Sequence, residues 1–160
     1  MIEMPYKDGR FSMLVLLPDE DSSLEALEAG MNAASVAEWS AGMRPAEVEI
    51  FMPKFKQESS YDLSTTLAAL GMGSAFDAGT ADFSGITGNR DMAISGVLHK
   101  TFVEVSEEGT EAAAATAVIV MRASLAPQER VIFCADRPFV YMIRDNASGA
   151  LLFIGSYAHP

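Results

Sequence analysis

Two apolar runs near the carboxy terminus constrain the fold more than any other feature of this sequence. Pro138–Arg144 reads PFVYMIR, Ala150–Tyr157 reads ALLFIGSY, and only the five residues DNASG separate them. Short runs rich in aromatic and β-branched residues are typical of strands. Gly149 can supply the left-handed backbone position that a tight turn needs. The sequence therefore predicts a hairpin of two strongly apolar strands at this end.

The amino-terminal region predicts a second hairpin followed by helices. Phe11–Pro18, FSMLVLLP, is a continuous apolar run that suits a strand buried on both faces. The segment MIEMPY lies before it, across the turn signal KDGR, and can pair with it. The spacing then becomes helical, with Ser23 as a candidate cap and Gly30 and Gly42 as limits.

The middle of the chain predicts one interrupted strand, one helix and a loop. Val48–Phe55, VEIFMPKF, reads as a strand that Pro53 interrupts, which indicates an edge or a bend. Asp62 is placed to cap the amphipathic segment LSTTLAALGM, which Gly71 would end. Residues 73–88 are rich in Gly, Ser, Thr and Asp and are predicted to be loop.

A further strand is predicted at Val97–Val105, VLHKTFVEV, because its residues alternate with period two. One face carries Val97, His99, Thr101, Val103 and Val105. The other carries Lys100, Glu104 and, less regularly, Phe102. With no internal repeat or linker, the 160 residues predict one α+β domain with mainly antiparallel strands and a few helices.

Charge and hydropathy exclude two classes of partner. Lys and Arg total 11 against 22 Asp and Glu, so the formal net charge is −11. This excess of negative charge opposes binding to nucleic acid or to anionic lipid. No apolar run approaches the roughly 18 residues of a transmembrane helix. The segment MIEMPYKDGR shows neither the apolar core nor the cleavage site of a signal peptide.

The residues that usually carry catalysis or bind metals are sparse. His99 and His159 are the only histidines, and no G-x-S-x-G, H-E-x-x-H or Walker-type motif occurs. Cys134 is the single cysteine and lies in an apolar run, which favours a buried, inert thiol. We therefore expect neither an enzyme nor a metal or cofactor site. Asn146–Ser148 matches the glycosylation pattern, and a tight hairpin turn explains it equally well.

Residues Glu107–Met121, EEGTEAAAATAVIVM, carry two conflicting structural preferences. Thr110 could cap an alanine-rich surface helix, whereas the β-branched TAVIV that follows favours a strand. As a strand, the segment places Glu111 on one face and an uncharged, mostly small face opposite it. That face consists of Thr110, Ala112, Ala114, Thr116, Val118 and Val120. Composition alone leaves both alternatives open.

Several segments, in this order and spacing, resemble the serpin family of serine protease inhibitors along nearly the whole chain. The most specific are HKTFVEVSEEGTEAAAATA at His99–Ala117 and ADRPFVYMIRDNASGALLFIGSYAHP at Ala135–Pro160. They are similar to the strand that leads into the family's reactive-loop hinge and to its carboxy-terminal signature. Supporting matches are Phe51–Met72, Asp82–Gly88 and Met13–Glu20.

The resemblance implies a reactive loop at about 109–127 that is offered to a protease as bait. As is established for serpins, the attacking protease stays acylated on the loop, and the cleaved loop enters the large sheet as a new strand. The small hinge residues resemble those of inhibitory members. The implied hinge consists of Glu107, Glu108, Gly109, Thr110, Glu111, Ala112, Ala113, Ala114, Ala115 and Thr116.

The resemblance also implies where the loop is cut. Counting from the hinge places the scissile bond at Ala123–Ser124, and the small residue favours elastase-like or subtilisin-like proteases. Cleavage one residue earlier would make Arg122 the specificity residue and trypsin-like enzymes the targets. His99 resembles the family histidine beneath the large sheet, whose hydrogen bonds help control sheet opening.

By resemblance the chain is the carboxy-terminal part of a single serpin domain. It would hold two strands of the large sheet, within Val48–Phe55 and Val97–Val105, and the inserted loop would lie between the latter and a strand of the missing amino-terminal part. We therefore expect that missing part as a partner, inactivity of this fragment alone, and an extracellular parent protein. The alternatives are a non-inhibitory binding protein on the serpin scaffold and a non-functional fragment.

Overall fold

A computed structural model describes residues 1–106 and 131–160. The chain divides into two compact units, which are described separately below. The first comprises Met1–Lys54 together with the described part of Ser106–Pro160, and the second comprises Phe55–Val105.

The first unit contains six strands and two helices among its described residues. The strands are β1 (Ile2–Pro5), β2 (Phe11–Leu16), β3 (Val48–Phe51), β6 (Val131–Cys134), β7 (Phe139–Asp145) and β8 (Leu151–Tyr157). The helices are α1 (Leu24–Gly30) and α2 (Ala33–Gly42). Helices and antiparallel sheets together make the predicted α+β class.

Both predicted hairpins belong to one antiparallel sheet with strand order β1-β2-β7-β8. The turns contain Gly9 at φ 68° and Gly149 at φ 75°, conformations that favour glycine. The central pair joins the two ends of the chain, since Phe11 of β2 lies opposite Asp145 of β7. Both hairpin predictions are therefore confirmed. Each hairpin is formed by one continuous segment, whereas the pairing of the two hairpins joins segments that are far apart in the chain.

The central strands of this sheet are buried on both faces. One face presents Leu14 and Met142 to a core cluster that also contains Leu16, Val36 and Val140. Partly buried residues of the helical region, Leu24, Leu27, Met31, Trp39 and Met43, pack against that cluster. Alternate residues point to the opposite face, where Val15 and Phe139 are also buried. Each large apolar side chain buried in this way stabilises the fold by about 1.5–3 kcal/mol.

Side-chain caps fix where the two helices begin. The Ser23 hydroxyl accepts a hydrogen bond from the Ala26 amide at 3.2 Å, which confirms the predicted cap of α1. Asn32 caps α2 by accepting from the amide of Ser35 at 3.1 Å, and the Ser35 hydroxyl accepts from the Asn32 amide at 2.8 Å. Such reciprocal caps stabilise a helix start by about 1 kcal/mol. The helices end at Gly30 and Gly42, as predicted.

Arg144 of β7 ties the sheet to a helix. Its guanidinium lies 2.7 Å from a Glu3 carboxylate oxygen and donates to the Ser40 hydroxyl of α2 at 3.2 Å. The Arg144 and Glu3 side chains are only 21% and 26% exposed, so water screens this pair less than an open surface pair. The contact therefore fixes α2 and β1 relative to β7.

The β7–β8 turn gives a pH-dependent contribution to stability. Asp145 accepts hydrogen bonds from the Ser148 hydroxyl at 2.9 Å and the Ala147 amide at 3.2 Å, and these bonds hold the pKa of Asp145 below its usual value. A carboxyl group with a lowered folded-state pKa stabilises the fold above its unfolded pKa of about 4. That contribution disappears as the pH falls through the lower folded-state pKa.

We therefore expect the unsubstituted chain to have a larger free energy of unfolding than the Asp145→Asn variant. The difference between the two should become smaller as the pH is lowered. Urea titrations of both proteins at a series of pH values from about 6 to about 3 measure this difference. The difference should be constant above about pH 5 and should fall steadily below about pH 4. A difference that stays the same at every pH would show that the Asp145 charge does not contribute.

The second unit contains a pair of strands and short helical turns. The strands β4 (Phe55–Asp62) and β5 (Leu98–Val105) pair antiparallel over their whole length. Between them lie α3 (Ser64–Leu67), a π-helical turn (Ala68–Met72), α4 (Gly73–Phe76) and α5 (Ser84–Thr87). The predicted helix stop at Gly71 is seen as a left-handed residue at φ 106°. The predicted loop at 73–88 is partly wrong, because it contains α4 and α5.

The expectation that Val48–Phe55 and Val97–Val105 belong to one sheet is also wrong for most of the first segment. Val48–Phe51 forms β3, which pairs in parallel with β6 in a separate two-stranded sheet. The strand that pairs with β5 is β4, and it includes only Phe55 of the earlier range. Pro53 lies in the break between β3 and β4, because proline cannot donate to a strand ladder.

None of the helices found in residues 1–106 and 131–160 has both the length and the apolar character needed to cross a bilayer.

Candidate functional site

The strand β5 leads directly into the segment that the sequence singled out, because it ends one residue before Ser106. The residue just before β5, Val97, is held through both its backbone amide and its backbone carbonyl. The Leu63 amide donates to the Val97 carbonyl at 2.8 Å, and the Val97 amide donates to the Ser64 hydroxyl at 3.0 Å. Asp62 holds Ser64 in place through its hydroxyl at 2.5 Å and its amide at 2.9 Å.

These bonds also lower the pKa of Asp62, first through the Ser64 hydroxyl and then through the Ser64 amide. The predicted role of Asp62 as the cap is met only in part. The N-cap residue of α3 is Leu63, which makes no side-chain cap bond, and the Asp62 carboxylate accepts from the amide of Ser64, where α3 begins. The carboxylate therefore organises both the start of the helix and, through Ser64, the start of β5.

The register of β5 determines which of its backbone groups point away from β4. Leu63 lies opposite Val97 in the continued register, and its amide donates to the Val97 carbonyl, so this is a hydrogen-bonded position of the ladder. Such positions recur at every second residue of an antiparallel ladder. The odd-numbered residues of β5 therefore bond to β4. The even-numbered residues direct their amides and carbonyls to the outer edge, and these are Leu98, Lys100, Phe102 and Glu104. Among the described residues no strand pairs with that edge.

The two faces of β5 differ as the alternation predicted. Val103 is buried and Thr101 and Val105 are half-buried, while Phe102 on the opposite face is exposed. Lys56 of β4 and Glu104 form an ion pair at 2.8 Å on this exposed face.

Of the five residues predicted for the inner face of β5, His99 is the exposed one. It lies opposite Tyr61 of β4, which is also exposed. This exposed position differs from the place beneath a sheet that the resemblance implies. The implied role of His99 in sheet opening stays a prediction.

The strand β6 begins where the other end of the same segment returns to the described chain. It runs parallel to β3, and the Ala135 amide extends the pairing by donating to the Phe51 carbonyl at 2.7 Å. Val131 and Ile132 are exposed, and so is Cys134. The prediction of a buried Cys134 is therefore wrong. The strand pairs only with β3 among the described residues, so it has too few neighbours to cover the thiol.

The reactive bond and the hinge lie outside the described residues. This applies to Ala123, Ser124 and the alternative Arg122, and to the whole hinge from Glu107 to Thr116. The structure describes the strand before this segment and the strand after it. Within the described ranges, no three His, Cys, Asp or Glu side chains gather where they could hold a metal ion.

Large apolar side chains are exposed on β8, at the edge of the four-stranded sheet. The exposed residues are consecutive, Leu151, Leu152, Phe153 and Ile154, so they point to both faces of the strand. The register with β7 shifts among them, since Ile143 lies opposite Phe153 and Arg144 lies opposite Leu151. Leu152 is 51% exposed and Ile154 is 58% exposed. Exposed apolar patches of this kind are typical of interaction surfaces.

Comparisons with known proteins agree along the whole chain. The family model described as Serpin (serine protease inhibitor) matches residues 1–160. Leukocyte elastase inhibitor of Xenopus laevis is 44% identical over 164 residues, which cover 100% of this chain and 43% of that protein. Serpin B4 of Homo sapiens is 45% identical over 162 residues, which cover 100% of this chain and 41% of that protein.

Solved structures lead to the same result. Native protease nexin-1 with heparin gives a TM-score of 0.78 at 35% identity, covering 99% of this chain and 40% of that one. The thermophilic serpin tengpin in its native state gives a TM-score of 0.76 at 32% identity, covering 99% and 41%. The chain thus spans less than half the length of the relatives it matches. This chain belongs to the serpin family.

Proposed function

We propose that this chain supplies the reactive-loop portion of a serine protease inhibitor that acts as a suicide substrate. The observation that carries the proposal is the outer edge of β5. That edge has no partner strand among the described residues, and β5 continues along the chain into the small-residue segment 107–121. A strand added at this edge would complete the hydrogen bonds of the even-numbered residues of β5.

The proposed reaction uses the ordinary chemistry of a serine protease. The protease hydroxyl attacks the carbonyl carbon of Ala123, the Ala123–Ser124 bond breaks, and the hydroxyl proton passes to the new amino group of Ser124. An ester then joins Ala123 to the protease. The segment ending at Ala123 is released from its carboxyl side and inserts beside β5, carrying the protease with it.

The energy of insertion is large enough to trap a protease. Roughly ten new ladder hydrogen bonds at about 1 kcal/mol net each supply on the order of 10 kcal/mol. Burial of Val118 and Val120 adds roughly 1.5–3 kcal/mol for each side chain. This total is comparable to the whole stability of a typical protease domain, so it can distort an active site.

The target class follows from the residue before the cleaved bond. Ala123 suits the small specificity pockets of elastase-like and subtilisin-like proteases. The Xenopus laevis relative is named leukocyte elastase inhibitor, which favours the elastase-like class. Cleavage after Arg122 instead would direct the inhibitor to trypsin-like proteases.

We further propose that insertion requires a partner segment that corresponds to the amino-terminal part of the longer relatives. Such a segment would supply the strand that pairs with the far side of the inserted loop, and it would cover the exposed apolar residues of β8, including Leu152 and Ile154. An inserted strand paired on one side only would forfeit about half of its ladder bonds. By this reasoning the present chain alone is inactive, and the extracellular location of the parent protein stays a prediction.

A chimera tests the proposal. This chain would replace the matching 43% of the Xenopus laevis relative, and the product would be incubated with an elastase and, separately, with trypsin. We expect a complex with elastase that survives boiling in detergent and has the mass of the protease plus the cleaved chimera. The chain alone should form none. A chimera that is cleaved without trapping protease would contradict the inhibitory function, and a complex formed by the chain alone would contradict the need for a partner segment.

A further inference from the structure

Asn146 belongs to the glycosylation pattern Asn146–Ser148, yet its side chain is used inside the fold. Its Nδ2 donates to the Gly9 carbonyl at 3.0 Å and to the Ser12 hydroxyl at 2.7 Å. Gly9 lies in the β1–β2 turn, and Ser12 is fully buried in β2. The side chain therefore reaches from the β7–β8 turn to the other hairpin.

The orientation of the Asn146 carboxamide follows from its partners. A carbonyl oxygen can only accept, so the group that faces Gly9 must be the NH2 group. On the other side, Oδ1 accepts from Nε of Arg144 at 3.3 Å, and that nitrogen can only donate. The Asn146 backbone amide adds a fourth contact by donating to the Arg10 carbonyl at 2.7 Å. Both hydrogens of Nδ2 are thus committed although the residue itself is exposed.

A glycan at this position is incompatible with these contacts. Transfer from a lipid-pyrophosphate-linked oligosaccharide joins the anomeric carbon to Nδ2, breaks the bond from that carbon to the pyrophosphate oxygen, and releases one Nδ2 hydrogen as a proton. The substituted nitrogen keeps a single hydrogen. One of the bonds to Gly9 and Ser12 must then be lost, and the sugar would occupy the space between the turns.

We propose that Asn146 is a latch between the two hairpin turns, and that its glycosylation pattern is an acceptor only while the turns are apart. In the folded chain the latch withholds Nδ2 from modification. Glycosylation of Asn146 and the joining of the two hairpin turns therefore exclude each other. The inference depends only on the first unit and is independent of the inhibitory function.

The test compares the folded chain with a peptide of residues 143–151. Both would be incubated with detergent-solubilised oligosaccharyltransferase and a lipid-pyrophosphate-linked oligosaccharide, and modification at Asn146 would be followed by mass spectrometry. The fluorescence of Trp39, the single tryptophan, reports whether the chain stays folded. We expect the peptide to be modified, and we expect the rate of modification of the folded chain to be lower by a factor of roughly ten or more. Equal rates, or a peptide that is not modified, would overturn the proposal.

Two variants identify the latch as the cause. Ser12→Ala removes one acceptor while keeping the glycosylation pattern, so the folded variant should be modified faster than the parent chain. Ser148→Ala destroys the pattern and should abolish modification in chain and peptide alike. Unchanged protection in folded Ser12→Ala would count against the latch.

A second measurement does not depend on glycosylation. Asn146→Ala should accelerate amide hydrogen exchange at Gly9, in the opposite hairpin, where the amide donates to the Tyr6 carbonyl at 2.8 Å. Ala147→Gly, which changes only the β7–β8 turn, serves as the control. Exchange at Gly9 that is the same in Asn146→Ala and in the parent chain would show that Asn146 does not join the two turns.

Discussion

Replacing Thr110 by arginine in the chimera should convert it from a trap into an ordinary substrate of elastase. In the proposed strand, Thr110 is the first member of the uncharged face that insertion buries. An arginine there would take an unpaired charge out of water, which costs several kcal/mol. If this cost falls on the insertion step, insertion slows by about a hundredfold or more, and the protease escapes by hydrolysing the ester first. Gel analysis of the products measures the fraction trapped.

Glu111→Arg provides the matched control for this substitution. Glu111 is the next residue along the chain, and in a strand its side chain points to the opposite face. The same side chain is thus introduced at a position that insertion leaves in water. Glu111→Arg should keep most of the trapping, whereas Thr110→Arg should lose it. Equal trapping by the two variants would contradict the insertion of this segment as a strand with Thr110 inward.

The substitution Gly155→Ala should strongly lower the free energy of unfolding of the first unit. Gly155 of β8 lies opposite Tyr141 of β7, and the buried Tyr141 ring crosses the space where a Cβ would be. An added Cβ would lie 2.5 Å from Tyr141 Oη and 2.6 Å from Cζ, well inside van der Waals contact. Relief requires the buried ring or the strand to move, at a cost of roughly 3 kcal/mol. Urea unfolding of the 160-residue chain followed by Trp39 fluorescence measures this loss.

Gly42→Ala is the control, since a Cβ added at Gly42 meets nothing within 4 Å. Gly42 is the last residue of α2, and alanine there should leave stability unchanged or raise it by a few tenths of a kcal/mol. The contrast between the two variants separates the contact with Tyr141 from the general effect of replacing glycine. A Gly155→Ala protein as stable as Gly42→Ala would show that the Tyr141 ring can move without cost.

The sequence predicted the elements whose signals are local. The two hairpins follow from apolar runs beside Gly9 and Gly149, and the start of α1 follows from the capping side chain of Ser23. Each of these signals is contained within a few residues, so no knowledge of distant contacts is needed.

The errors arose where distant contacts decide the structure. Strand β4, FKQESSYD, is polar on most of its residues and has no apolar alternation to reveal it, and only its pairing with β5 makes it a strand. The parallel pairing of β3 with β6 joins segments that are far apart in the chain, and no local pattern specifies it. Cys134 lies in an apolar run and is nevertheless exposed, because β6 pairs only with β3 in the part of the chain that the structure describes.

The sequence predicted where strand β5 lies in the chain, but it did not predict which residues of β5 bond to β4. The alternation of VLHKTFVEV located β5 to within one residue of its observed start at Leu98. The identification of the hinge came from resemblance, because the alanine-rich segment by itself is compatible with a surface helix as well as with a strand. Which residues of β5 face the outer edge depends on the bond between Leu63 and Val97, and only the structure supplies that bond.

Hydrogen exchange of the reactive segment is the most direct measurement of the central claim. The chimera would be cut in the loop by a protease that it does not trap, and amide exchange of residues 110–120 would be compared by mass spectrometry before and after cutting. Insertion beside β5 predicts that these amides exchange rapidly in the intact protein and become strongly protected once the loop is cut. Amides that exchange equally fast in the intact and the cut protein would contradict the claim that this segment becomes a strand.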